Sequence, residues 1–158
     1  MGNPIFKAFV DRWLPENGTA PVSTARIDDL SDYLGATLPE TYREFLVTVG
    51  AASMPLTLLS TIVDQRLDIT NVQDFYDPEA VMSITRDWRQ MGLPENLYAI
   101  ASDGAGNQFC FAIPDLGDEI DSDPYVWFFD HEEAEAYDSK VPFTSWIETF
   151  ANIEDKAR

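Results

Sequence analysis

The first third of the chain carries apolar residues at a spacing of three or four, which is typical of amphipathic helices. Asn3 followed by Pro4 predicts a helix start, because Asn caps free backbone N–H groups and Pro fits the first helical position. Glycine is a common helix stop because it adopts the left-handed conformation at little cost. The three predicted helices begin at Asn3-Pro4, at Ser23 or Thr24, and at Leu38-Pro39-Glu40, and the second and third end at Gly35 and Gly50.

The middle of the chain predicts two strands followed by a helix. Residues 56–63 and 66–70 are rich in apolar and β-branched residues, which favours strands, and Asp64-Gln65 between them is predicted as a turn. Asp77-Pro78-Glu79 has the sequence of a helix start, and Val81, Ile84 and Trp88 are expected to face inward up to about Arg89.

Beyond Pro94 the pattern changes to short apolar runs at residues 98–101, 109–113 and 126–129. Runs that are apolar at consecutive positions predict strands covered on both sides, or nearly so. Gly104 and Gly106 predict a hairpin between the first two strands. Residues 143–150 return to helical spacing, with Phe143, Trp146 and Phe150 on one stripe. We therefore predict an α+β fold in which a mostly antiparallel mixed sheet packs against helices, with residues 1–24 as an accessory helix and linker and residues 25–158 as a single domain.

The charge of the chain is strongly uneven. It has 28 acidic and 10 basic residues and a formal net charge of −18, and residues 90–139 contain 12 carboxylates without one lysine or arginine. An aromatic content of 13% predicts a folded domain rather than a disordered acidic tail. Such a charge attracts cationic partners, and it argues against binding nucleic-acid backbones or anionic membrane surfaces.

Cysteine usage and hydropathy indicate the compartment. Cys110 is the only cysteine and cannot form an internal disulfide, which fits a reducing cytoplasm. The first residues lack the basic start and apolar run of a secretory signal, and no apolar stretch approaches the ~20 residues of a membrane span. We expect a cytoplasmic protein.

Two acidic segments are the candidate partner-binding residues. The run 115–124 is expected to be an exposed loop that either serves solubility or docks a basic partner. Calcium binding is a third interpretation, which the sequence does not support because the spacing of the acids does not match an EF-hand. The second segment follows the strand at 126–129, and tyrosines flanked by acids or Pro in expected loops are candidate aromatic anchors, as is Tyr76. The candidates are Asp115, Asp118, Glu119, Asp121, Asp123, Tyr125, Asp130, Glu132, Glu133, Glu135, Tyr137 and Asp138.

Catalytic chemistry is poorly supported by the sequence. His131 is the only histidine, which excludes a multi-histidine zinc site, and its simpler interpretation is a hydrogen bond to a turn, with Asp130 as a cap. Cys110 lies in an apolar run and is expected to be a buried structural thiol. The segment 103–107 lacks the lysine of a phosphate-binding loop, and no Gly-x-Ser-x-Gly is present. We expect neither an enzyme nor a cofactor or metal.

Three motifs in order resemble the SUKH superfamily, the Smi/Knr-type domain. A helix ending at Leu-Gly and restarted by Leu-Pro comes first, a glycine-rich turn between strands second, and a strand ending in Asp-His-Glu with a final Phe-x-x-Trp helix third. The turn departs from the family in having Asn107 where Asp is usual, and residues 51–91 match poorly. The matching residues are Leu34, Gly35, Leu38, Pro39, Tyr42, Phe45, Leu46, Gly50, Gly104, Gly106, Asn107, Trp127, Asp130, His131, Phe143 and Trp146.

The resemblance implies a non-catalytic role. Bacterial members resemble immunity proteins that silence a polymorphic toxin, often a nuclease, and fungal members look like regulators of cell-wall synthesis. The charge agrees with the first role, because a nuclease surface is basic. The leading hypothesis is an immunity protein whose acidic residues form one continuous face against a basic toxin. The alternatives are an intracellular scaffold or regulatory domain and, less favoured, a metal-dependent hydrolase.

Overall fold

A computed structural model describes residues 3–16 and 18–154, which form six helices and one six-stranded sheet. Every strand is antiparallel to its neighbours, and the strand order along the sheet is the order along the chain. None of the helices within these residues is both long and apolar enough to cross a bilayer. The elements are α1 (Pro4–Trp13), α2 (Thr24–Leu34), α3 (Glu40–Thr48), β1 (Ala52–Ser53), α4 (Leu56–Asp64), β2 (Asp74–Phe75), α5 (Pro78–Arg89), β3 (Leu97–Ser102), β4 (Gln108–Ala112), β5 (Tyr125–Asp130), β6 (Glu135–Pro142) and α6 (Phe143–Ala151).

Side chains along β3, β4 and β5 alternate between two cores on opposite faces of the sheet. On β4, Phe109 and Phe111 join the larger core, which includes residues of α1, α3 and α6, whereas Cys110 joins the smaller one. The smaller core is covered by α5 through Ile84 and Trp88. The apolar runs beyond Pro94 therefore are strands with helices on both sides, as their sequence predicts.

The predicted helix caps are confirmed. Asn3, Ser23 and Asp77 precede α1, α2 and α5, and each side chain accepts a hydrogen bond from a backbone N–H in the first turn. Gly35 ends α2 in the left-handed region at φ 69°. Gly50, at φ 72°, has a further constraint, because a Cβ there would lie 1.9 Å from the carbonyl oxygen of Ala20.

The larger core is built around aromatic rings, which bury much apolar area and prefer edge-to-face contacts. Phe6, Phe45, Tyr42 and Phe143 are at most 2% exposed and pack edge-on or tilted against one another. Trp13 of α1 donates its indole N–H to the backbone oxygen of residue 150 at 2.8 Å. Helix α1 thus packs in the same core as α3 and α6, and the boundary at residue 24 stays a prediction.

The segment 56–70 is the main error of the sequence-based prediction. Residues 56–64 form α4 instead of a strand, Asp64-Gln65 ends that helix instead of forming a hairpin turn, and residues 66–70 have no regular structure. Pro55 precedes the helix, and Leu58 and Ile62 are buried at a spacing of four. The remaining apolar residues of α4 are exposed. They lie around the buried positions in the sequence, so the apolar residues do not show the three-to-four spacing of an amphipathic helix. The exposed residues are Leu56, Leu59 and Val63.

Candidate partner-binding edge of the sheet

The two acidic segments lie at opposite ends of β5. Residues 115–124, here called the acidic loop, join β4 to β5, and residues 130–135, here called the acidic turn, join β5 to β6. Strand β5 has six residues, and its five steps of about 3.4 Å place the two ends roughly 17 Å apart along the strand. Strand β6, at the edge of the sheet, runs beside β5 between them, so the two acidic segments are separated by the length of β5 instead of adjoining as one face.

Asp123 of the acidic loop is committed to internal contacts. Its carboxylate accepts hydrogen bonds from the backbone N–H of Thr144 at 3.0 Å, from the Thr144 hydroxyl at 2.6 Å and from the Thr41 hydroxyl at 3.3 Å. The loop is fixed to α3 by a further bond from the N–H of Thr41 to the oxygen of Ser122. Asp115, Asp118, Glu119 and Asp121 by contrast are exposed.

The role of Asp123 follows from the way α6 begins. Strand β6 continues directly into α6, so Pro142 occupies the N-cap position and supplies no side-chain acceptor. The first N–H groups of a helix need such an acceptor, and the helix dipole favours a negative one. Asp123 provides it from a loop about twenty residues away in sequence. The missing cap before Phe143 was the available signal, and sequence reasoning had assigned Asp123 to the partner instead.

The acidic turn is shaped by Asp130 and Ala134. Asp130 accepts hydrogen bonds from the N–H groups of Glu132 and Glu133 at 3.0 and 3.4 Å, which confirms its predicted capping role. Ala134 adopts the left-handed region at φ 55°, which is unfavourable for a residue with a Cβ. The turn holds Glu132 and Glu133 exposed at the end of the strand.

His131 has the structural role that its sequence position predicts. Asn107 Oδ1 accepts the backbone N–H of His131 at 3.1 Å and lies 2.7 Å from its Nδ1, while Asn107 Nδ2 donates to Asp103 at 2.8 Å. The imidazole stands edge-on to Trp88, and Gly106, at φ 103°, leaves room for it, because a Cβ there would lie 3.0 Å from the ring. The Asn107 amide both donates and accepts here, whereas the carboxylate of an aspartate would only accept.

Strand β6 was not predicted, and Tyr125 and Tyr137 lie in strands rather than in loops. Tyr137 lies opposite Phe128, and its side chain is 47% exposed. Its hydroxyl donates to Glu135 at 2.6 Å. That hydrogen bond, together with the nearby charge of Glu133 and Asp130, raises the pKa of Tyr137 to about 12.

Asp138 and Tyr125 contact the single basic residue of β6. Asp138 accepts the backbone N–H of Lys140 at 2.9 Å and lies 3.1 Å from its ammonium group, which also stands 5.8 Å above the Tyr125 ring. Lys140 adopts φ 63° where the pairing with β5 shifts register. Its charge and the bulge end the regular edge, which limits pairing with further strands.

The carboxylates of residues 90–139 are largely unneutralised. Only Glu95 and Asp138 lie within 4.0 Å of a lysine or arginine nitrogen among residues 3–16 and 18–154, at 3.9 Å from Arg89 and 3.1 Å from Lys140. The other ten of the twelve have no ion-pair partner in this part of the chain. Exposed like charges repel, so their concentration costs stability.

The residues that matched the family motifs mostly support the fold. Leu38, Tyr42, Phe45, Leu46 and Phe143 are buried, while Leu34, Trp127 and Trp146 are half-buried against the two cores. Tyr76, a candidate anchor, instead donates its hydroxyl to Gln108 at 2.7 Å, and burial raises its pKa.

The reactive side chains of the chain are structural or dispersed. Cys110 is fully buried, and that burial raises the pKa of its thiol, as expected for a structural cysteine. Among the described residues, His, Cys, Asp and Glu side chains do not form a group of three or more that could hold a metal ion.

The chain is an α+β domain whose sheet ends in the exposed strand β6, with one acidic segment at each end of β5. The model of the SMI1 / KNR4 family (SUKH-1) matches residues 21–149, and the chain belongs to that family. Domains of this family are generally binding or immunity domains without catalytic activity, and membership fits a role in immunity or in cell-wall regulation. A search of curated proteins gave no match.

Proposed function

We propose that this protein is an immunity protein that neutralises a basic polymorphic toxin, such as a nuclease, by covering its cationic surface. The observation that carries the proposal is the set of ten carboxylates in residues 90–139 without an ion-pair partner in the described part of the chain. Retaining repulsive charge in the segments that flank β5 is costly for folding alone, and it is useful when a cationic protein supplies the missing counter-charge.

Binding proceeds in two stages in this proposal. Exposed acids of the acidic loop and of the acidic turn first attract the toxin over distance and raise its association rate. The exposed aromatic side chains of Tyr125 on β5 and Tyr137 on β6 then supply contacts that exclude water. A nuclease toxin needs a basic surface to bind the phosphates of its nucleic-acid substrate. Once the acidic protein is bound to that surface, the nucleic acid cannot reach it.

A cell-wall or signalling regulator is the alternative that the family also fits. The charge of this chain favours the immunity role. A toxin gene beside the gene for this protein would separate the two, because a regulator has no need of a toxin neighbour.

The test begins with capture from the native strain at low ionic strength, followed by identification of proteins that elute with salt. A captured basic toxin is then co-expressed with the wild-type protein or with charge-reversal variants. Glu132→Lys/Glu133→Lys changes the acidic turn, and Asp118→Lys/Glu119→Lys changes the acidic loop.

Glu16→Lys/Asp29→Lys is the matched control, because it reverses two exposed acids outside residues 90–139. We expect wild type and control to restore growth and at least one of the other two variants to lose protection. Full protection by both cluster variants would contradict the proposed surface, and the absence of a basic toxin among the captured proteins would contradict the immunity role.

A further inference from the structure

An apolar groove lies on the face of the sheet that packs against α6. It has a volume of about 370 Å³ and lies between residues 68–70, α6 and strands β5 and β6. Its walls include Ile69, Val126, Phe128, Val141 and Trp146.

The apolar side chains of this groove are incompletely covered. Phe128 and Trp146 are half-buried, and Val141 is 36% exposed. Tyr137, the cross-strand neighbour of Phe128, is 47% exposed on the same face. Half-exposed aromatic groups in a concave site are the type of position where protein interfaces concentrate their binding energy.

The charged side chains that line the groove and the neighbouring depression are acidic. Asp68 is one of its lining residues, and the groove continues past Ile69 and Thr149 into a second depression lined by Glu154. Neither depression has a lysine or arginine among its described lining residues. Glu135 lies two residues before Tyr137 on β6 and therefore on the same face, which adds a third carboxylate to this side.

We propose that this groove is the anchor site for an extended segment of the cationic partner, in which one or two large apolar side chains are flanked by lysine or arginine. This inference rests on the proposed function and adds to it where the partner is held. The apolar side chains would fill the groove against Phe128 and Trp146, and the flanking cations would meet Asp68 and Glu135. Charge complementarity selects this occupant over an acidic or purely apolar one.

Three synthetic peptides test the groove by NMR titration of the full chain at low ionic strength. The first is acetyl-Lys-Arg-Leu-Trp-Leu-Arg-Lys-amide, the second replaces its three central residues by alanine, and the third replaces its four basic residues by glutamate. We expect the first to shift the amides of residues 68–70 and 137–141 and the Trp146 indole. The other two should bind at least about tenfold more weakly, because the second lacks the apolar anchor and the third lacks the complementary charge.

Thr149→Lys places a cation in the groove from an exposed position of α6, and Thr57→Lys makes the same change on α4 outside the groove. Thr149→Lys should weaken the first peptide by about tenfold, while Thr57→Lys should bind it like wild type. Val141→Lys is a second groove variant for use if Thr149→Lys lowers the thermal midpoint.

Two results would overturn the groove inference while leaving the immunity proposal in place. One is that the first peptide does not occupy the groove, either because it does not bind at all or because its shifts are confined to the acidic loop or the acidic turn. The other is a dimer in sedimentation that Thr149→Lys dissociates, since a second copy would then fill the groove. The co-expression assay with its charge-reversal variants tests the immunity proposal separately, because none of those variants changes a residue lining the groove.

Discussion

Replacing Asp123 by alanine should destabilise the protein more than the loss of any exposed acid in the same loop. The carboxylate accepts two hydrogen bonds from Thr144 and one from Thr41. Loss of a helix cap costs ~1 kcal/mol and loss of hydrogen bonds to a charged group adds ~1–2 kcal/mol, while relief of acidic repulsion returns a few tenths. We expect a net loss of about 2 kcal/mol in the free energy of unfolding, which is a decrease of roughly 4–8 °C in Tm.

Urea unfolding followed by far-ultraviolet circular dichroism measures this loss. Asp118→Ala is the control, because it removes the same charge from an exposed position of the acidic loop and should change the free energy by less than ~0.5 kcal/mol. Asp123→Asn keeps an acceptor for the Thr144 N–H and should fall between the two. Equal stabilities of Asp123→Ala and Asp118→Ala would refute the capping role and return Asp123 to the set of free surface acids.

Three further predictions concern the acidic turn and its neighbours. Ala134→Gly should raise the free energy of unfolding by ~0.4–1 kcal/mol in thermal unfolding, because glycine relieves the left-handed strain; a loss would contradict it. Glu135→Gln should lower the pKa of Tyr137 from about 12 in an ultraviolet titration, since the carboxylate that accepts the hydrogen bond of its hydroxyl is gone, and an unchanged pKa would exclude that hydrogen bond. Asn107→Asp should cost ~1–3 kcal/mol, because it removes the donor to Asp103 and places two carboxylates together; Asp103→Asn in the same chain should recover part of that loss, and no recovery would refute the pairing.

Elements whose sequence carries both a period and a cap could be predicted. The helices α2 and α5 have Ser23 and Asp77 at their starts, and the sequence placed both correctly. Strands β3, β4 and β5 were recognisable because both of their faces are buried, and only their ends differ from prediction. The interpretation of His131 and Asp130 also succeeded, since turn chemistry depends on residues close in sequence.

The failures have physical causes. Strand β6 is an exposed edge with polar residues on both faces, so it lacks the alternation that marks a half-buried strand. Helix α4 is apolar on its exposed side as well as its buried side. Strands β1 and β2 have two residues each and exist only through tertiary pairing. The charge of the candidate site was visible in the sequence, but the separation of the acidic loop from the acidic turn depends on the antiparallel order of β4, β5 and β6.

The association rate constant of the captured partner, measured by stopped-flow fluorescence over a range of ionic strength, tests the central claim most directly. If exposed carboxylates attract a cationic partner, the rate constant should fall steeply with added salt, by about tenfold or more between low and high ionic strength. The dependence of the rate constant on ionic strength should be weaker for Glu132→Lys/Glu133→Lys. For the control Glu16→Lys/Asp29→Lys it should stay close to that of the wild type. A rate constant that does not depend on salt would contradict electrostatic attraction as the basis of recognition.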